Sequence, residues 1–115
     1  MPGSTNLAAS IHAGKFIKSM ANAGKWICAI CAAPAVVLAP LGILEGRRFT
    51  CYPGYETKVS GAQWCQDRVV VDKNPAAHSL ITSRGAGTAG EFAIAIIANL
   101  LSENDARQLA EKVLL

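Results

Sequence analysis

Nineteen consecutive residues, Trp26 to Leu44, carry no charge. The run is long enough for a membrane-spanning helix, yet Pro34 and Pro40 interrupt it and alanine supplies much of it. A buried strand leading into a buried helix is also continuously apolar, because both faces of such a strand are covered. The buried reading, with no membrane span, predicts a strand over Trp26 to Ile30, a turn through Cys31-Ala32-Ala33, and a helix from Pro34 to about Leu44. Proline suits the head of that helix, since the N–H it lacks would have no intrahelical partner there. Pro40 then marks a kink or an early end.

The flanking segments supply the rest of an α/β layered domain. Ala9, Ala13, Phe16, Ile17 and Met20 recur at helical spacing, so a helix capped by Asn6 is expected to run to about Asn22, with Gly14 as a weak point and Gly24 as its stop. Arg48 to Cys51, Val69 to Asp72 and His78 to Thr82 read as strands, the last two joined through Lys73-Asn74-Pro75 in a hairpin-like connection. Gly85, Gly87 and Thr88 open an apolar helix with a stripe of Ala89, Phe92, Ala93, Ile96, Ile97 and Leu100, and Ile94 and Ala98 off that stripe call for cover on more than one side. Ser102 with Asp105 starts a last helix that buries Ala106, Leu109, Ala110 and Val113. A single domain over residues 1–115 is expected.

Composition narrows the function. Half of the residues are hydrophobic and only 17% are charged, so the chain can bury a core. The net charge of +3 comes from scattered Lys and Arg, unlike the basic stripe of a nucleic-acid surface. Met1 is followed by Pro-Gly-Ser-Thr-Asn, without a charged and then apolar leader, which predicts a cytoplasmic protein with reduced thiols.

A small-residue turn between a buried strand and a helix is the setting of a nucleophile elbow, and Cys31 occupies it. Unpaired N–H groups at the helix start would favour its thiolate, and the Ala32 N–H would face an oxyanion formed at a carbonyl attacked by the sulfur. Spacing alone equally allows Cys31 to be one of four small buried hydrophobes. Cys28 and Cys31 also satisfy Cys-x-x-Cys, but a redox dithiol needs both sulfurs at an exposed helix start, and Cys28 falls within the strand, where it reads as packing. Cys51 and Cys65 are isolated, so a structural zinc site, which shows two close pairs, is not expected. Cys65 reads as a surface thiol. His12, on the first helix, and His78, at a strand start, read as surface or structural residues.

The segment Ile27-Cys28-Ala29-Ile30-Cys31-Ala32-Ala33-Pro34-Ala35 resembles the signature around the nucleophile of the ThiJ/PfpI superfamily, and the match places that nucleophile at Cys31. Thr50-Cys51-Tyr52-Pro53-Gly54 is similar to the family's strand and loop after the elbow, and Trp64 through Asp72 to its next strand region. Leu80 to Thr88 followed by Glu91-Phe92-Ala93 is similar to its late strand-to-helix motif. The resemblance implies a flavodoxin-like three-layer α/β/α sandwich and a cysteine-dependent deglycase or glyoxalase acting on small reactive carbonyls, with no cofactor and no metal. The alternative is a non-catalytic redox-sensing or chaperone-like family member linked to oxidative stress, or an inactive fragment that requires a missing N-terminal segment, and the resemblance also implies a homodimer.

The departures from the pattern are specific. Peptidases of the superfamily carry histidine directly after the nucleophile, where this chain has Ala32, so peptidase activity is disfavoured. Deglycase- and glyoxalase-type members often have histidine before the proline of the post-elbow loop, and here Tyr52 stands there, able to hydrogen-bond but a poor base near neutral pH. No residue matches the family's general acid/base glutamate. Met1 to Leu7 looks like the stretch after the family's Gly-Gly turn, which implies a chain incomplete at the N-terminus and association with a missing N-terminal segment.

Overall fold

The computed structural model describes residues 2–115. Met1, first residue of the stretch likened to the family's post-Gly-Gly segment, lies outside them. The uncharged run divides as its prolines suggest. Strand β1, Trp26–Ile30, turns at Cys31 into a π-helical turn, Pro34–Leu38, and a 3-10 turn, Ala39–Leu41. The helix expected to Leu44 is shorter and irregular, because Pro40 falls in the first positions of the 3-10 turn and Gly42 ends it in the left-handed region at φ 78°. That conformation is strained for any residue with a Cβ. No helix among the described residues is long and apolar enough to cross a membrane.

The expected N-terminal helix is two helices, α1, Pro2–Ala9, and α2, Ile11–Asn22. Ser10 divides them: its backbone is extended and its Oγ accepts the Ala13 N–H at 3.1 Å. A serine that satisfies an orphan N–H is a better start than Asn6 further upstream. The register shifts with it, so that Phe16 is 66% exposed, while Ala21 is buried and Ile17 and Met20 pack on the core. Gly14 lies within α2 against Leu41, where an added Cβ would make an ordinary contact with Cδ2 at 3.4 Å.

Three strands form the main sheet in the order β1-β5-β4, with β5, Ser79–Ser83, parallel to β1 and antiparallel to β4, Val69–Asp72. The β4–β5 connection is the hairpin that Lys73-Asn74-Pro75 suggests. Of the strand expected over Arg48 to Cys51, only β2, Arg48–Phe49, pairs, and its partner is a parallel strand β3, Gln63–Trp64. The strand stops there because the Thr50 N–H turns to Thr82 Oγ1, 2.9 Å away in the core.

The faces of the sheet follow from strand alternation. Leu80 joins Ile27, Ala21, Val37, Leu38, Leu44 and Phe49 in the main cluster, whereas Ile81, fully buried, belongs to none of it. The other face is crossed by α3, Ala89–Leu100, which packs against β5, β4 and β1. This gives the three layers. No α3 residue is fully buried: Ala89, Ala93 and Leu100 of the expected stripe are exposed, and Phe92, Ile94, Ile96, Ile97 and Ala98 are half-buried. The last helix, α4, Glu103–Lys112, starts as expected at Ser102, whose Oγ accepts the Asp105 N–H at 3.0 Å. It buries Ala106 and half-buries Leu109 and Ala110, but Val113, 58% exposed, lies past its end.

Candidate active site

Cys31 sits at the C-terminal end of β1 with φ 67°, in the left-handed region. An L-residue there costs roughly 1–2 kcal/mol, so it persists only where its surroundings fix it. Two hydrogen bonds do so. The Cys31 N–H donates to Ser83 O at 3.0 Å, and Cys31 O accepts the Tyr52 N–H at 2.8 Å. The bend is thus clamped between the end of β5 and the segment after β2. The β5 anchor is itself tied down: Ser83 Oγ donates to Arg68 O at 2.7 Å and accepts from Thr88 Oγ1, which in turn accepts the Gly85 N–H at 3.2 Å.

Ala32 follows, 2% exposed, and its carbonyl accepts the Val36 N–H at 2.9 Å as the helical turn begins. Its own N–H donates to no acceptor among the described residues. The expected strand, bend and helical turn are all present, and the thiol lies at the bend, half-buried, outside any regular helix.

Cys31 lines a groove of about 450 Å³. Leu7, Ile17 and Val37 contribute to its apolar wall, and so do four successive β1 residues, Ile27, Cys28, Ala29 and Ile30. Consecutive residues of a strand point to opposite faces, so only its edge can present all four. Since Cys31 donates to Ser83 O and Ile30 is the register partner of Ser83, the alternation of a parallel ladder turns the backbone groups of Cys28 and Ile30 toward that open edge. Burial raises the pKa of the Cys28 thiol, as suits a packing residue.

Tyr52, the other residue singled out from sequence, meets the elbow through its backbone alone. Its phenol ring is 44% exposed, lies outside the groove, rests over Gly85 and stands edge-on to Tyr55 with 6.1 Å between ring centroids. The nearby carboxylate of Glu56 is engaged on the Gly54 N–H at 2.8 and 3.1 Å. His12 is exposed on α2, and His78 Nε2 lies 2.9 Å from Ile43 O in a structural contact. Cys65, expected at the surface, is half-buried with its Sγ toward Gln63 O. No three His, Cys, Asp or Glu side chains among the described residues gather to hold a metal ion.

Three interactions near the site were not legible in sequence. Arg68 forms a two-pronged pair with Glu91, both contacts 2.8 Å, and donates to Gly87 O at 3.0 Å, bracing the loop before α3. Hydrogen bonding to Arg68 holds the Glu91 carboxyl below its usual pKa. Arg47, buried, reaches Asp72 Oδ2 at 3.0 Å and Asp72 O at 2.7 Å, fastening β2 to β4. Cys51 is 1% exposed and its thiol is pushed up to about 11 by burial first, then by the charges of Glu56 and Cys31.

The family model described as DJ-1/PfpI matches residues 1–99. The chain belongs to the DJ-1/PfpI family. Among curated relatives in that family, Protein DJ-1 homolog B of Arabidopsis thaliana is 37% identical over 97% of this chain and 24% of its own length. The glutathione-independent glyoxalase DJR-1.2 of Caenorhabditis elegans is 37% identical over 86% of this chain and 50% of its own. Among solved structures, oxidized Toxoplasma gondii DJ-1 superposes with a TM-score of 0.90 at 32% identity, over 99% of this chain and 59% of that one. The fold is the flavodoxin-like α/β fold of DJ-1 structures, and the chain spans between about a quarter and a half of these two curated relatives.

Proposed function

We propose that this DJ-1/PfpI chain carries the nucleophile of a cysteine-dependent glyoxalase or deglycase acting on small reactive carbonyls, 2-oxoaldehydes or early glycation adducts. The observation that carries the reading is Cys31 held at φ 67° between β1 and the helical turn, with the Ala32 N–H unpaired beside it. The Cys31 sulfur would add to the aldehyde carbon, and the negative charge that develops on oxygen would be met by the Ala32 amide. The nematode relative named a glyoxalase supports this choice of substrate. Peptidase activity stays disfavoured, because position 32 is alanine.

Proton transfer needs a carboxylate that no residue matching the family pattern supplies here, and the phenol of Tyr52 lies away from the groove. We propose that it comes on polypeptide associated with the open edge of β1, where the Cys28 and Ile30 backbone groups face outward. A homodimer, which would also cover the partly exposed α3, belongs to the same proposal. The test is lactate formation from methylglyoxal by the protein isolated in its native assembly, compared with Cys31→Ser. Loss in the variant is expected, and equal rates would end this reading.

The oxidized state of the Toxoplasma relative favours a second reading, a redox-responsive protein whose Cys31 is oxidised to sulfinic acid without turnover. Mass spectrometry after mild peroxide separates the two, since the second requires selective oxidation at Cys31 in protein that converts no methylglyoxal.

A further inference from the structure

A second thiol stands beside the elbow, and the proposed carbonyl chemistry does not use it. Cys51 directly precedes Tyr52, whose N–H donates to Cys31 O at 2.8 Å. With one peptide group on each side of that bond, the two Cα atoms can be no more than about 7.6 Å apart, so a bridge, which needs them within about 7 Å, asks for at most a small shift of the backbone. The electrostatics agree, because charge on Cys31 is felt at the Cys51 thiol. The Cys51 Sγ donates to Tyr52 O at 3.5 Å, a contact it leaves when it turns to the bend, whereas no backbone hydrogen bond joins Cys65 to the elbow and Cys28 lies on the regular part of β1. Cys51 is therefore the thiol that the backbone itself brings to the bend.

We propose that Cys51 is the resolving thiol of Cys31: after a hydroperoxide oxidises Cys31 to sulfenic acid, Cys51 captures it as an intramolecular disulfide. This rests on the reading of Cys31 as the reactive cysteine. In the first step the Cys31 thiolate attacks the peroxide oxygen, an S–O bond forms, the O–O bond breaks, and water or an alcohol leaves after protonation. Sulfur loses two electrons and the peroxide gains them. In the second, the Cys51 sulfur bonds to the Cys31 sulfur, the S–O bond breaks, and hydroxide departs with the Cys51 proton as water. No further oxidant is consumed. The sulfinic acid, by contrast, requires a second peroxide, so capture within the chain prevails when peroxide is scarce and a dithiol can restore the free nucleophile.

Burial makes the capture slow at neutral pH. With its thiol held up to about 11, Cys51 is ionised to only about one part in ten thousand at pH 7, and the capture rate should rise about tenfold per pH unit below that value.

The experiment treats reduced protein at pH 8 with about one equivalent of hydrogen peroxide, blocks remaining thiols, and maps the peptides by mass. The proposal expects the Cys31 and Cys51 peptides to be linked, with a loss of about 2 Da that dithiothreitol reverses. In Cys51→Ser and in Cys51→Ala, each checked for native circular dichroism, the same dose should leave Cys31 as sulfenic acid, and more peroxide should give sulfinic acid, a gain of about 32 Da that dithiothreitol does not reverse. Wild type and both variants passing to sulfinic acid with the same peroxide dependence would overturn the resolving role and leave the reactive Cys31 standing. Wild-type protein in which Cys31 resists oxidation while other cysteines react would overturn both.

Discussion

Replacing Cys31 by glycine should make the protein more stable than replacing it by alanine, the reverse of what glycine does in ordinary structure. In a regular strand or helix, glycine costs about 0.5–1 kcal/mol relative to alanine, because the unfolded chain gains freedom. At Cys31 the backbone is at φ 67°, where a Cβ costs roughly 1–2 kcal/mol. Removing it outweighs the entropy loss, leaving glycine ahead by about 0.5–1 kcal/mol, a few degrees in Tm for a chain of this size. The comparison with alanine removes the thiol from both sides, so only backbone conformation remains. Urea unfolding of Cys31→Gly and Cys31→Ala measures it, with Ala29→Gly as the control. Ala29 is paired to Thr82 in the regular part of β1, and glycine there should destabilise in the usual way. If Cys31→Gly is less stable than Cys31→Ala by as much as Ala29→Gly loses, the elbow is not bent as described and the reasoning fails.

Thr82→Val should cost about 1–3 kcal/mol, because the Thr50 N–H donates to Thr82 Oγ1 at a fully buried position and would lose its partner; urea unfolding checks it. Ser10→Ala should cost about 1 kcal/mol and Asn6→Ala close to nothing, since Ser10 caps α2; equal losses in thermal melts would contradict the break between α1 and α2. The Cys51 thiol gives a pH dependence. Its folded pKa is raised from 9.0 to about 11, so its contribution is fully present below about pH 9 and is lost as pH rises through 11. The loss amounts to about 3 kcal/mol, and denaturation between pH 8 and 11 should show that slope in wild type and a shallower one in Cys51→Ala.

Strand β1, the bend at Cys31 and the start of α4 were legible because each depends on local chemistry. An uncharged β-forming run, a Pro after two alanines and a Ser three residues before an Asp each leave few alternatives. The break at Ser10 was not legible, since the apolar spacing from Ala9 to Met20 continues across it and only the Ser10 Oγ contact decides where α2 begins. Strand β3 escaped because two residues carry no period, and β2 was overextended because Thr50 leaves its ladder for a side chain distant in sequence. Around the candidate site, sequence put Cys31 and Ala32 at a bend after a strand, where the structure has them, and named Tyr52 for its phenol, whereas its backbone N–H makes the contact with Cys31. The open edge of β1 and the closeness of Cys51 depend on which strands pair, information that no short motif contains.

The order in which the four cysteines react with limiting iodoacetamide at pH 7, followed by peptide mapping, tests the central claim most directly. Cys31 should take the label first and leave Cys28 and Cys51 almost untouched, since burial raises both of those thiols. Label arriving at Cys65 or Cys28 as fast as at Cys31 would contradict it.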